Sequence, residues 1–182
     1  MFVAQQLRKN NIAQFLIYMW QVEDLLRAFD LDTDRLKQHY ISRFDQWTEE
    51  QKAEALTWYQ DIANMMRSEG ITKKGHLQIC KNVIINLTDL HNNLMASHKF
   101  QHYHSVYSNA LPLIVELRSK QPDADQHNEL ESCFELIYGL MMLKIKKQEI
   151  STQTAEASKT ISTFIGLLSD YYHQNISQPI EF

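Results

Sequence analysis

Ile12-Ala13-Gln14-Phe15-Leu16-Ile17-Tyr18-Met19-Trp20-Gln21-Val22-Glu23-Asp24-Leu25-Leu26-Arg27 decides the fold class. At 100° per residue, Ile12, Phe15, Leu16, Met19, Val22 and Leu26 share one arc, and Phe29 extends it. That is the period of an amphipathic helix, not the strict alternation of a strand. The pattern predicts a first helix from about Ala4 to Phe29, ended by the corner Asp30-Leu31-Asp32.

Outward from this run the same period recurs. A short helix is expected over Asp34–Phe44, with Leu36, Tyr40, Ile41 and Phe44 on one side. Thr48-Glu49-Glu50-Gln51 reads as a capping box, in which Gln51 returns a bond to the cap backbone. The helix it starts should stop at Gly70, a residue suited to a left-handed turn. Ile71-Thr72-Lys73-Lys74-Gly75 reads as a hinge. A fourth helix should reach about Ser97, and a fifth should run from Lys99 to Lys120 with a kink or break at Pro112. After the loop Gln121–Asp125, a sixth helix is expected from Gln126 to Gln148, its closing Lys144, Lys146 and Lys147 suiting the negative end of the helix dipole. A seventh should begin after a cap at Ser151 or Thr152 and continue to about Gln174.

The expected architecture is therefore all-α: a single-domain bundle of six to seven mostly antiparallel helices. A three-helix half and a four-helix half would meet at residues 70–75. The composition agrees, with only 4 Gly and 3 Pro in 182 residues, too few turn-formers for a many-stranded sandwich. Hydrophobic residues make up 44% of the chain, enough for a full core.

Charge and cysteine narrow the function classes. The formal net charge is -4, whereas a phosphate-binding surface draws its affinity from basic residues, so no nucleic-acid partner is expected. Lys73-Lys74 and Lys144-Lys146-Lys147 sit at predicted helix ends, where solvation and the dipole account for them. Cys80 and Cys133 lie in apolar helical runs without CxxC spacing and read as small core hydrophobes. No apolar run approaches the ~18 residues of a membrane span, and MFVAQQLRKN lacks the pattern of a secretory signal. A soluble cytoplasmic protein is expected.

A few polar groups fall on apolar faces. Glu23 lies inside the arc of the first helix while Asp24 points away. A buried carboxylate costs several kcal/mol unless paired, so Glu23 needs a partner. Arg27, four residues on, is the nearest on its own helix. His91 falls within the arc of Leu77, Cys80, Val83, Ile84, Leu87, Leu90 and Leu94. Lys144 lies on the buried side near a helix end, where its stem reaches water. Glu23, Arg27 and His91 are thus the tentative pocket or buried polar network, between the first and fourth helices. A facing Glu23–His91 pair would suit acid–base or ligand-binding work; the alternative is a satisfied hydrogen-bonded pair without chemistry.

His98, His102 and His104 form the other conspicuous cluster, but a helix turn at His98 interrupts the i,i+4 spacing. Neither HExxH nor Glu-x-x-His occurs, so no metal is expected. No GxSxG, Walker loop or GxGxxG is present, and no cofactor or catalytic residue is assigned. Trp20, Trp47, Trp58, Tyr59, Tyr171 and Tyr172 read as core or interface anchors.

Over Met19–Arg27 above all, the first run resembles an uncharacterised all-helical family of Bacteroidota, a domain of unknown function. The resemblance implies an intracellular bacterial protein with a helical fold. It carries no activity, cofactor or catalytic residue. The expected function is a non-catalytic helical interaction or self-assembling protein, a homodimer with a possible protein partner. The alternative is a small-molecule-binding protein or enzyme using Glu23, Arg27 and His91.

Overall fold

A computed structural model describes residues 2–120 and 128–182. Among them the chain forms eight α-helices and one short 3-10 turn, with no strand. The helices are α1 (Phe2–Asn10), α2 (Ile12–Ala28), α3 (Thr33–His39), α4 (Glu49–Ser68), α5 (Gln78–Ala96), α6 (Gln101–Ser119), α7 (Glu129–Ile145) and α8 (Thr152–Ser177). The 3-10 turn covers Ile41–Arg43. The all-helical reading holds. The count exceeds the expected six to seven because the first predicted helix divides at Asn11 into α1 and α2. The second predicted helix also shortens, giving α3 and the 3-10 turn.

Helix ends follow local chemistry where the sequence supplies it. The Asp32 carboxylate accepts from the backbone N–H groups of Asp34 and Arg35, starting α3. Thr48 and Gln51 form the anticipated capping box at α4, with bonds of 3.2 and 2.9 Å. At the other end of α4, Gly70 takes φ +70°. Its N–H bonds the Arg67 carbonyl and that of Ile71 bonds the Met66 carbonyl, closing a Schellman turn. α7 starts from Asn128 and α8 from Ser151. The expected loop Gln121–Asp125 and the expected start of the sixth helix at Gln126 lie outside the described residues. α6 continues through Pro112 as one helix, so the break considered there does not occur. The carbonyl that Pro112 leaves without its i+4 donor belongs to Ser108, which is exposed to water.

The chain divides into two compact units, Met1–Asn10 with Gln14–Val83, and Asn11–Ala13 with Ile84–Phe182. The boundary falls inside α5. In the first unit α3 packs on α4 and the 3-10 turn. Its buried side chains include Leu16, Met19, Trp20, Leu26, Leu36, Ile41, Met66 and Leu77. In the second unit α6, α7 and α8 pack on one another. Tyr103, Ile114, Phe134, Phe164 and Leu168 are buried there. The arc drawn for the fourth predicted helix is fully inside: Leu77, Cys80, Val83, Ile84, Leu87, Leu90 and Leu94 are all buried.

Candidate functional site

Glu23 is the one charged residue among the buried polar residues described, with 0% exposure. α2 carries it on the same face as Leu16, Met19 and Leu26, so burying the apolar arc takes the carboxylate inside as well. Burial is tolerated because donors converge on it. Oε1 accepts the backbone N–H of Leu77 at 2.9 Å, and the Cys80 thiol lies 3.6 Å away. Oε2 stands 2.7 Å from Nδ1 of His76 and 4.0 Å from the Arg27 guanidinium. The His76 ring stacks on the indole of Trp20, with centroids 4.1 Å apart and planes 16° from parallel.

The location explains the chemistry. α5 begins at Gln78, and its first free N–H groups have no Ser, Thr, Asn or Asp beside them to accept. Leu77, at the cap position, has an apolar side chain. Two distant carboxylates do the capping: Glu23 takes the Leu77 N–H, and Glu69 takes the Gln78 N–H at 2.7 Å. A negative group at a helix N-terminus also meets the positive end of the helix dipole. Arg27 serves the approach to the same helix end. It bonds Asp24 at 2.9 Å, then the Ile71 carbonyl at 3.2 Å and the Gly75 carbonyl. Gly75 sits at φ +88°, a conformation that glycine accommodates without steric cost. Glu23, His76, Trp20 and Arg27 thus bind α2 to the 71–77 segment within the first unit.

His91 belongs to the second unit. It is half-buried, and its Nδ1 lies 2.7 Å from the hydroxyl of the fully buried Tyr103. Tyr107 and Phe164 surround the imidazole, with centroids 4.7 and 5.7 Å away. Burial holds the His91 pKa below its usual value, against an opposing pull from Glu129. Burial likewise raises Tyr107 to about 12, helped by its hydrogen bond to Glu129 at 2.9 Å. These are neutral groups held neutral.

The histidine bonded to Glu23 is therefore His76 rather than His91, which bonds Tyr103, and each pair lies within one unit. Arg27 does stand beside Glu23, but Asp24 and two loop carbonyls are nearer. His76 escaped the sequence reading because it lies between Gly75 and the helix, off every apolar arc. Its available signal was position: a histidine just ahead of a helix that lacks its own cap. Of the histidine cluster, His98 and His102 are exposed, and His104 bonds the Leu94 carbonyl at 2.9 Å. Lys144 is exposed as well. No three His, Cys, Asp or Glu side chains among the described residues are grouped to hold a metal.

A second feature of the first unit is a ladder of aromatic rings. Tyr18 stacks on Trp58 at 6.3 Å, and Trp58 meets Tyr59 at 5.1 Å. Tyr59 then meets Tyr40 at 6.4 Å, Tyr40 meets Phe44 at 5.2 Å, and Phe44 stacks on Trp47 at 4.3 Å. Tyr59 is buried, and the other five rings are half-buried. Burial and neighbouring phenols push the Tyr59 pKa well above the ordinary range.

A model of the domain of unknown function DUF4924 matches residues 1–178. The chain belongs to that family. No curated protein and no solved structure matches it. The family assigns no reaction to Glu23, His76 or the aromatic ladder. No helix among its described residues is long and apolar enough to cross a membrane.

Both cysteines are buried and free. Burial and the neighbouring Glu23 raise the Cys80 pKa far above the usual thiol range, and burial beside Glu129 takes Cys133 to about 12. Neither is a nucleophile at neutral pH.

Proposed function

We propose that the chain is a non-catalytic helical interaction protein of the bacterial cytoplasm that self-associates as a homodimer through the aromatic face of its first unit. The observation that carries this reading is the unbroken ladder Tyr18–Trp58–Tyr59–Tyr40–Phe44–Trp47, five of whose six rings remain half-exposed. Trp and Tyr supply large contact area at low entropic cost, and their polar tips stay hydrogen-bonded when water leaves. Glu23 and Arg27 hold a helix end and a loop, and His91 packs in an aromatic core against Tyr103; that these groups already have structural partners supports the same reading. The bacterial setting follows the resemblance over Met19–Arg27.

The test is native mass spectrometry with light scattering on the full chain. A dimer is expected, and Trp58→Ala with Trp47→Ala should convert it to monomer while helical content is retained. A monomer at micromolar concentration, or a dimer indifferent to both substitutions, overturns the reading.

One observation favours a second reading, a small-molecule-binding protein. A cleft of about 210 Å³ in the second unit has walls of Leu113, Leu117, Leu136, Ala157 and Ile161. Glu116, Lys120, Gln153 and Thr154 also line it. A retained adduct in the same mass spectra, lost on Ala157→Trp, would move the assignment there.

A further inference from the structure

The buried stripe of α8 thins toward its N-terminus. Ile161, Phe164, Ile165 and Leu168 fill it with large side chains. At 100° per residue, Ala157 and Thr154 continue the same arc one and two turns earlier, with little bulk to offer. The facing wall does not thin to match, since α6 presents Leu113 and Leu117 there and α7 adds Leu136. The mismatch leaves the cleft of about 210 Å³, with all three leucines half-buried. Ile114, next in sequence to Leu113, is fully buried. All three helices belong to the second unit and pack on one another, so the cleft lies within one compact body.

The walls call for a hydrocarbon and the rim for a charge. An apolar cavity of about 150 Å³ takes a benzene ring, so this one suits a chain of about six to eight carbons. At the rim, Lys120 lies one turn past Leu117, and its Nζ donates to Oε1 of Glu116 at 2.6 Å. An ammonium has three donors, and that bond uses one of them. Across the rim stand Gln153 and Thr154 in the first turn of α8, which carries no acidic residue and is the positive end of that helix. Among the described lining residues only Glu116 is acidic, and Lys120 already engages it.

We propose that the cleft binds a free medium-chain carboxylate, its chain against Leu113, Leu117, Leu136 and Ile161 and its head at Lys120. This rests on the second reading, that the cleft holds a small molecule, and names the class. The chain supplies most of the affinity, because each methylene withdrawn from water tightens binding about fourfold. The head supplies the sign preference, and a solvated ion pair is worth only about two- to fivefold.

The experiment follows the leucine methyl resonances of the full chain by NMR while octanoate or octylammonium is added at pH 7. The two probes share a chain and differ in the charge of the head. Octanoate should saturate at one per chain, shift the methyls of Leu113, Leu117 and Leu136, and bind about two- to fivefold more tightly than octylammonium. Hexanoate should bind about sixteenfold more weakly than octanoate. Lys120→Glu should reverse the preference between heads and Glu116→Gln should widen it, both with unchanged circular dichroism. Equal affinity for the two heads, a preference for octylammonium, or a preference indifferent to Lys120→Glu overturns the carboxylate assignment while leaving a small-molecule cleft. No saturable shift of those methyls with either probe, or shifts that persist when Ala157→Leu fills the space, overturns the cleft as well. Should Ala157→Leu fail to fold, the wild-type and Lys120→Glu titrations still decide the proposal.

Discussion

Glu23 in the first unit and His91 in the second both sit on the apolar faces of helices, and the two solve that position by opposite means. Glu23 is a carboxylate without water contact, surrounded by donors from the Leu77 backbone, His76, Cys80 and Arg27. His91 is half-buried, and one hydroxyl and a ring of aromatic edges suffice for it. A buried acceptor-only group must gather every donor in reach, whereas a neutral imidazole needs one bond and can otherwise pack as an aromatic. The first arrangement ties distant segments together; the second fills a core.

The contrast is broken most directly at Glu23. Glu23→Ala leaves the Leu77 N–H and His76 without their acceptor in the interior, and should cost about 3–5 kcal/mol in urea unfolding, the range for opening a buried ion pair. Glu23→Gln keeps one acceptor and should cost less, about 1–3 kcal/mol. If both variants unfold with the wild type, the carboxylate is not holding α5. In the second unit, Tyr103→Phe removes one hydroxyl from a neutral pair and should cost about 1–2 kcal/mol. A loss as large as that of Glu23→Ala would erase the distinction.

Acid should sharpen it. The folded-state pKa of His91 lies below the ordinary value of about 6.5, so the unfolded chain binds the proton more readily. Its stabilising contribution is complete above that value and is lost as pH falls through the folded pKa. Unfolding free energy measured from pH 7 to pH 5 should therefore decline less steeply in His91→Phe than in wild type. Equal slopes would show that the imidazole is not held neutral by its core.

The smallest contrast is at two helix ends. α4 closes on Gly70 at φ +70°, while α7 makes the same Schellman turn with Lys147 at φ +54°. Lys147→Gly should stabilise the chain by about 0.5–1 kcal/mol, because the left-handed pose costs a residue with a Cβ. Gly70→Ala should do the reverse.

What could be read beforehand follows from how local each cause is. The capping box at Thr48, the stop at Gly70 and the buried direction of Glu23 depend on residues within one or two turns, and each was legible. The partner of Glu23 was not, because His76 approaches from 53 positions away on a segment with no period. Ring positions on α2 and α4 can be placed on a wheel, but the ladder joining Tyr18 to Trp47 also runs through the 3-10 corner, which no helical period describes.

The two buried sulfurs have a practical consequence. Cys80 and Cys133 are the only cysteines of the chain, and neither presents a thiolate while the fold is closed. A cysteine introduced on an exposed helix surface would therefore take up a maleimide dye or spin label alone, without prior removal of the native pair. Run without such an addition, slow alkylation counts openings of the molecule: each sulfur captured marks one excursion from the folded state. With Cys80 in the first unit and Cys133 in the second, peptide mapping of the captured sites would time the two excursions separately.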